Sequence, residues 1–425
     1  MQTKTKEEPA KPEFKELINT PTTKQIKNLY LFTTNHKTAP VVIREKFAIP
    51  DYQLKEACQS LKTAKHIDSF LILSTCNRTE IYFTSDNYKK ALEEVFSFLS
   101  RQLSLEPKII EEYSLILKET EVVNHIFKLA CGLNSLVVGE KQILFQLKFA
   151  YSVAQTEKTL GSTLELLSQY AMNSAKEIHK TTTLSENSQS ISSVTVELAD
   201  KVCGPLKTKS IMVLGAGTMA KLALEHLLKI GGTKETIVLN KSPHRVIEFS
   251  ESYKVTRAFP FEDVYNVLND ADVLICAAGA PHFILFAEQF EKLRKDIKKP
   301  LFIFDLSMPR NVDAEFGRLP NIKLYDIDSI QQSEVSLQKS NSSEEIAGVE
   351  SIISTNISSF YEKLPVEGKQ VQIKNLRERL EQLTETKLNK LLSSKDTFSR
   401  EEAEYIARNI SNTVFHELLK SIKEI

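Results

Sequence analysis

The sequence predicts a multidomain α/β protein: a small α+β domain, a doubly wound parallel-sheet domain, and an all-α C-terminal region. Three observations carry this. A buried strand at 209–214 runs into Gly215-Ala216-Gly217-Thr218-Met219-Ala220 and a helical stretch, and strands then alternate with helices. Before it, short apolar strands are interleaved with helical spacing. After about residue 327 strand signals stop.

Taken in order, residues 1–28 are rich in Lys, Glu, Thr and Pro without period and predict a disordered tail. Residues 29–33, 69–74 and 81–84 are strand candidates, with helical spacing over 51–61. The order β, α, β, β, α predicts a partly antiparallel sheet. From 121 to about 182 the pattern is helical, punctuated by Gly132, Gly139 and Gly161. Further strands are predicted at 236–240, 271–277, 301–305 and 323–326, with a helix over 220–230. Beyond 327, Ile373, Leu376, Leu380 and Leu383 step by helical intervals, and Leu388 and Leu391 continue the stripe after a break in phase. Such a face packs on a partner helix, across a dimer or within one chain. The boundaries read as 1–28 (tail), 29–185, 186–328 and 329–425.

The 425 residues suit two to four domains. Lys plus Arg and Asp plus Glu each number 55, so the net charge is zero. That excludes a globally basic nucleic-acid binder and a polyacidic tail protein, though not a local basic patch. The five cysteines, Cys58, Cys76, Cys131, Cys203 and Cys276, are scattered, with no CxxC. This argues against a disulfide framework or a Cys-rich zinc site and for a reducing compartment. The polar start predicts no signal peptide, and the longest uncharged stretch, 273–287, is too short to span a bilayer. A cytoplasmic protein with no membrane partner and no metal is expected.

Three segments carry chemistry. In GAGTMA, Gly215 permits the tight turn, Gly217 lets a pyrophosphate approach the backbone, and Ala220 keeps the helix close to the sheet. Ala216, Thr218 and Met219 complete this Rossmann-type loop. An NAD site usually has a carboxylate at the end of the next strand. Here that strand ends Asn240-Lys241-Ser242, with Arg245 beyond, which suits a 2′-phosphate and favours NADPH.

The second segment is Ser74-Thr75-Cys76-Asn77-Arg78-Thr79-Glu80. Cys76 follows a strand, where loops present reactive groups. A thiol needs help to ionise, and Arg78 is placed either to give it or to hold a substrate carboxylate. Spacing alone favours a small buried hydrophobe. The third runs Gly132-Leu133-Asn134-Ser135, then Gly139-Glu140-Lys141-Gln142-Ile143 and Gln146. Its polar groups line a pocket or satisfy backbone. His125 lies among Ile126, Phe127 and Leu129, the setting of a core histidine.

Together these motifs resemble the glutamyl-tRNA reductase family. Asn35-His36-Lys37-Thr38-Ala39-Pro40 with Arg44-Glu45-Lys46 is similar to its opening motif, and Ser74 to Glu80 to its nucleophile motif, unaltered. The 132–146 segment resembles its substrate pocket and GAGTMA its NADPH loop. Residues 305–313 and 324–328 resemble the segments closing its nucleotide domain.

The resemblance implies NADPH-dependent reduction of glutamyl-tRNA(Glu) to glutamate-1-semialdehyde through a thioester on Cys76, the first step of tetrapyrrole synthesis. It implies that Thr75, Cys76, Asn77, Arg78, Ser135, Glu140, Lys141, Gln142 and Gln146 bind substrate, with Arg78 on the glutamate carboxylate. It gives His125 a role in activity, against its apolar surroundings. It also implies a helical homodimer domain, a long helix over 341–364, and a possible complex with glutamate-1-semialdehyde aminomutase. In this family the nucleotide domain sits apart from the thiol site, so a domain swing is expected.

Lys141 replaces a usual Pro, Phe145 a usual Gly and Asn187 a common Gly, and the Arg-Thr pair near His179 is degraded. The competing readings are an NADPH dehydrogenase of shikimate-dehydrogenase type, which needs no thiol, and a non-catalytic NADPH-binding regulator. With no overall positive field, tRNA contact is expected at selected places such as Lys374, Arg377, Arg379, Lys387, Lys390 and Lys395.

Overall fold

In the computed structural model, which describes Ile26 and residues 28–135, 139–182, 184, 190–253, 255–333, 335 and 343–364, two sheets organise the chain. Residues 25–360 form one compact unit. The second unit, 1–24 with 361–425, is described only at residues 361–364. The apolar stripe at 373–391, the basic segment around it and Asn187 lie outside the described residues. So does most of the expected tail, although Ile26 is buried and Asn28 bonds to Ser85 and Asp86.

The first sheet comprises β1 (Leu29–Asn35), β2 (Ser69–Ser74), β3 (Arg78–Thr84) and β4 (Leu115–Lys118), ordered β2-β3-β1-β4. Every pair is antiparallel, where the sequence suggested a partly antiparallel sheet. Strand β4 was not anticipated. It is a short edge strand with exposed ends, so it lacks the buried apolar run that signals a strand. Helices α1 (Val41–Phe47), α2 (Leu54–Leu61), α3 (Tyr88–Leu103) and α4 (Pro107–Glu112) belong to the same half. One sheet face buries Phe32, Ile72, Ile81 and Phe83 against Val95 and Phe98 of α3. Each such ring or aliphatic chain contributes about 1.5–3 kcal/mol of burial.

The opposite face meets α5 (Thr120–Ala130), α6 (Gln142–Thr156) and α7 (Ser162–Thr181). Side chains alternate across a strand, so Arg78, Glu80 and Tyr82 share this second face of β3.

The second sheet comprises β5 (Ser210–Leu214), β6 (Glu235–Asn240), β7 (Arg257–Pro260), β8 (Val273–Cys276), β9 (Leu301–Asp305) and β10 (Ile322–Tyr325). All pairs are parallel, in the order β10-β9-β8-β5-β6-β7. This is the doubly wound arrangement the sequence predicted, with β7 added. That edge strand alternates half-buried and exposed residues and was missed for the same reason as β4.

Helices α8 (Ile191–Cys203), α9 (Thr218–Lys229), α10 (Pro243–Ser252), α11 (Val264–Leu268), α12 (Ala287–Leu293) and α13 (Ile327–Gln331) complete this half. One apolar cluster holds Val194 and Leu198 with Ala220 and Leu224; the other holds Val267, Phe290 and Phe316. A helix over Ser343–Lys363 follows, close to the long helix expected at 341–364. Among the described residues no helix is long and apolar enough to cross a membrane, and no cluster could hold a metal ion.

Candidate active site

Strand β5 has β6 on one side and β8 on the other, so the turn after it opens where the winding reverses, the usual place for a ligand in such sheets. Gly215 has φ of +116°, and a Cβ there would lie 2.4 Å from the Ala277 carbonyl oxygen. Only glycine fits, because the turn is pressed against β8. At Gly217 an added Cβ would meet nothing within 4 Å, so the space above the turn is open. Helix α9 begins at Thr218, two residues earlier than expected, with no side-chain cap and no acid in its first turn. Its first N–H groups are left for an anion. Beside it β6 ends at half-buried Asn240, followed by exposed Lys241 and half-buried Ser242, with no carboxylate. These residues fit a dinucleotide carrying a 2′-phosphate.

Cys76 sits at the tip of the β2–β3 hairpin, closed by the Thr75 N–H donating to Arg78 O at 2.8 Å. The hairpin is tied to the end of α1. Thr79 Oγ1 donates to Phe47 O at 2.9 Å, and Ile49 N–H donates to Ser74 Oγ at 2.9 Å. The Cys76 thiol is half-buried, and burial pushes it up to about 12. The Glu140 carboxylate adds to this; the Arg44 and Arg78 guanidiniums oppose it without winning. The expected help from Arg78 is therefore present but outweighed.

Behind the hairpin lies a network that sequence reasoning did not assemble. Glu80 is fully buried and accepts from Arg78 Nη1 (3.1 Å), Tyr82 OH (2.6 Å) and Thr33 Oγ1 (3.3 Å), and its Oε1 lies 2.8 Å from His125 Nε2. Burial would raise its carboxyl. The His125 and Arg78 charges and these hydrogen bonds reverse that and hold it well below the usual carboxylate range. The period-2 run Arg78, Glu80, Tyr82 on one strand was the available signal. Arg78 also donates to Asn134 O at 2.6 Å, linking the hairpin to the pocket segment.

The segment expected to line a pocket reaches this centre at Asn134, whose carbonyl oxygen accepts from Arg78. Gly132 and Gly139 have φ of +77° and +84°, and an added Cβ at Gly132 would lie 2.9 Å from Glu140 N. Burial raises the Glu140 carboxyl to about 7, against the pull of Arg78. Ser135, Gln142 and Gln146 are half-buried. Lys141 and Phe145, the two departures in this segment, are exposed.

The two predicted sites meet. Gln142 Nε2 lies 3.6 Å from Met219 Sδ of the glycine-rich turn, and Gln331 Nε2 of α13 donates to Asn77 Oδ1 at 3.2 Å. Cys76 packs against the apolar cluster shared by Val41 and the nucleotide half. The expectation of a nucleotide domain set apart from the thiol is corrected here: the Cys76 hairpin is docked on it, held by polar contacts between the halves.

Family models match the chain in three parts: the N-terminal domain of glutamyl-tRNA(Glu) reductase over 32–182, shikimate/quinate 5-dehydrogenase over 197–333, and the glutamyl-tRNA(Glu) reductase dimerisation domain over 348–425. The glutamyl-tRNA reductase of Carboxydothermus hydrogenoformans is 34% identical over 400 residues, covering 93% of this chain and 88% of that protein. The chain belongs to the glutamyl-tRNA reductase family. Glutamyl-tRNA reductase 2 of Koribacter versatilis is likewise 34% identical, covering 93% of this chain and 90% of its own. The solved glutamyl-tRNA reductase of Methanopyrus kandleri is 25% identical, covers 94% of this chain and 98% of its own, and has a TM-score of 0.45.

The shikimate-dehydrogenase likeness is confined to the nucleotide half, whereas the reductase relatives span the thiol half as well. With the reductase family come NADPH as reductant, glutamyl-tRNA as substrate, a homodimer through the C-terminal domain, and the opening step of tetrapyrrole synthesis.

Proposed function

We propose that this chain carries out the reductase reaction through a thioester on Cys76. The observation that carries the reading is a thiol at a hairpin tip, with Arg78 and Glu140 beside it and the nucleotide half packed against it. The Cys76 sulfur attacks the aminoacyl ester, the ester C–O bond breaks, and the tRNA leaves with its 3′-terminal ribose hydroxyl. The acyl–sulfur bond leaves a carbonyl far more electrophilic than a carboxylate. Residues 215–220 with Asn240, Lys241 and Ser242 would hold NADPH, which would supply the hydride for that carbonyl; with a proton delivered to sulfur, loss of the C–S bond gives the aldehyde and the free thiol.

Thr75, Asn77, Ser135, Glu140, Lys141, Gln142 and Gln146 line the glutamyl end. Arg78 keeps donors beyond those given to Glu80 and Asn134, and these take the substrate carboxylate. His125, held by Glu80, is assigned the proton transfer in this reading. Glu140, near neutrality, is the carboxyl able to take the thiol proton at attack.

The product is an aldehyde beside an amine, which reacts with its own kind, and we infer direct transfer to an aminomutase. Five free cysteines in the described fold support a cytoplasmic setting.

The test is an assay of protein, glutamyl-tRNA and NADPH, following the semialdehyde. The parent makes product, Cys76→Ser loses at least about a thousandfold, and free glutamate does not substitute. Undiminished product from the serine variant would reject the reading.

A further inference from the structure

Two adjacent residues of α1 reach across to a loop and a helix of the nucleotide half, with opposite charges crossed. Arg44 donates from Nη2 to Asp328 Oδ1 at 2.7 Å and from Nη1 to Oδ2 at 3.1 Å, and the Val41 N–H donates to the same Oδ2 at 2.9 Å. Arg310 donates from Nε to Glu45 Oε2 at 2.9 Å and from Nη2 to Oε1 at 2.7 Å. Both pairs are bidentate. The Arg44 side chain is 2% exposed, and Glu45 and Arg310 are 15% and 13% exposed. Fork-to-fork pairs taken this far out of water fix orientation as well as contact.

Each end is braced. Asp305 accepts from the N–H groups of Ser307, Asn311 and Val312, which fixes the loop bearing Arg310. Asp328 lies in the first turn of α13, whose N-cap, Asp326, accepts from Ser329 N–H at 2.9 Å. On the other side α1 is bonded at its C-terminal end to the strands flanking Cys76. The Arg310 loop and α13 are thereby both joined through α1 to the thiol hairpin.

We propose that Arg44–Asp328 and Glu45–Arg310 form a latch that holds the nucleotide half closed over Cys76, making these four positioning residues for the reduction half-reaction and not for acylation. The inference rests on the proposed thioester reading for its kinetic arm and is independent of it for its structural arm. A large tRNA bears the ester to be attacked, so acylation needs an open thiol. Reduction needs the thioester carbonyl facing the nucleotide turn with water kept out, which the closed form provides.

The test uses full-length protein carrying Arg310→Glu, Asp328→Asn, or the crossed pair Glu45→Arg with Arg310→Glu; Arg44 is left intact because its charge also bears on the thiol. The structural arm measures maleimide alkylation of Cys76 by peptide mapping, with no cofactor or substrate. Both single variants are expected to react at least tenfold faster than the parent, and the crossed pair to return to within threefold of it. The kinetic arm follows labelled glutamate from glutamyl-tRNA onto protein without NADPH, then its reduction when NADPH is added. Labelling is expected to be at least as fast as in the parent in the singles, since the open thiol is the form acylated, with reduction at least tenfold slower in the singles and recovered in the crossed pair. Unchanged alkylation in the singles, failure of the crossed pair to restore protection, or a parallel fall in labelling and reduction would each overturn the latch. A parent that takes up no label on Cys76 would instead overturn the thioester reading and leave the alkylation result to decide the latch.

Discussion

Oε1 of Glu80 stands 2.8 Å from Nε2 of His125 while the same oxygen takes Arg78 Nη1 at 3.1 Å. One buried carboxylate therefore orients both the proposed proton-transfer group and the proposed substrate-binding guanidinium, and it does so on the strand that begins two residues after Cys76. The polar face of β3 is a second layer of the site, locked by four donors on a side chain with no access to water.

Replacing Glu80 by Gln keeps the shape but removes the charge opposite Arg78 and His125. Breaking a buried pair on one side costs about 3–5 kcal/mol, so the urea midpoint at pH 7 should fall accordingly. The folded-state carboxyl lies below its unfolded value. Its contribution is therefore present above the unfolded pKa of ~4.3 and lost as pH falls through the folded value. The gap between parent and variant should narrow below pH 4. Equal midpoints at pH 7 would show that desolvation cancels the network.

Glu140 behaves in the opposite sense. Its folded carboxyl is raised to about 7, so its favourable contribution is complete below the unfolded value and is lost as pH rises through 7. Glu140→Gln should gain stability relative to the parent between pH 5 and pH 8. The charged carboxylate also holds the Cys76 thiol up. Alkylation of Cys76 at pH 8 should be several-fold faster in the variant, on the order of three- to tenfold, and equal at pH 5.5, where Glu140 is neutral in the parent. Matching rates at pH 8 would show that the two groups do not communicate.

The two loop glycines should separate stability from binding. Gly215→Ala drives a Cβ against the Ala277 carbonyl from a left-handed conformation and should lower stability by roughly 2–3 kcal/mol. Gly217→Ala meets no protein atom and has an ordinary φ, so the melting temperature should not move. Its methyl occupies the space where the backbone meets the pyrophosphate, and NADPH affinity by titration calorimetry should fall at least about tenfold. Unchanged affinity would place the cofactor elsewhere.

Much of this was legible because the signals are local. A βα turn that admits only Gly at 215 is written in the string GAGTMA, and buried parallel strands such as Leu301–Asp305 read as continuous apolar runs. Cys76 and its neighbours were marked by one short motif between two strands. The edge strands Leu115–Lys118 and Arg257–Pro260 were missed because half-exposed strands of four residues have no run to detect.

Pairings across long separations left no such trace. Nothing near Arg44 in the chain points to Asp328, 284 positions away, and Glu45 meets Arg310 only because the fold brings α1 against the loop after β9. Sequence by itself determined the chemistry available, a thiol, a nucleotide turn and a cationic strand end, since residue type and local period decide these. The tertiary structure alone decided that the thiol is packed against the nucleotide half, that burial outweighs the arginines in its ionisation, and that Glu80 governs Arg78 and His125. Those outcomes depend on distance and desolvation, which are properties of the packed fold.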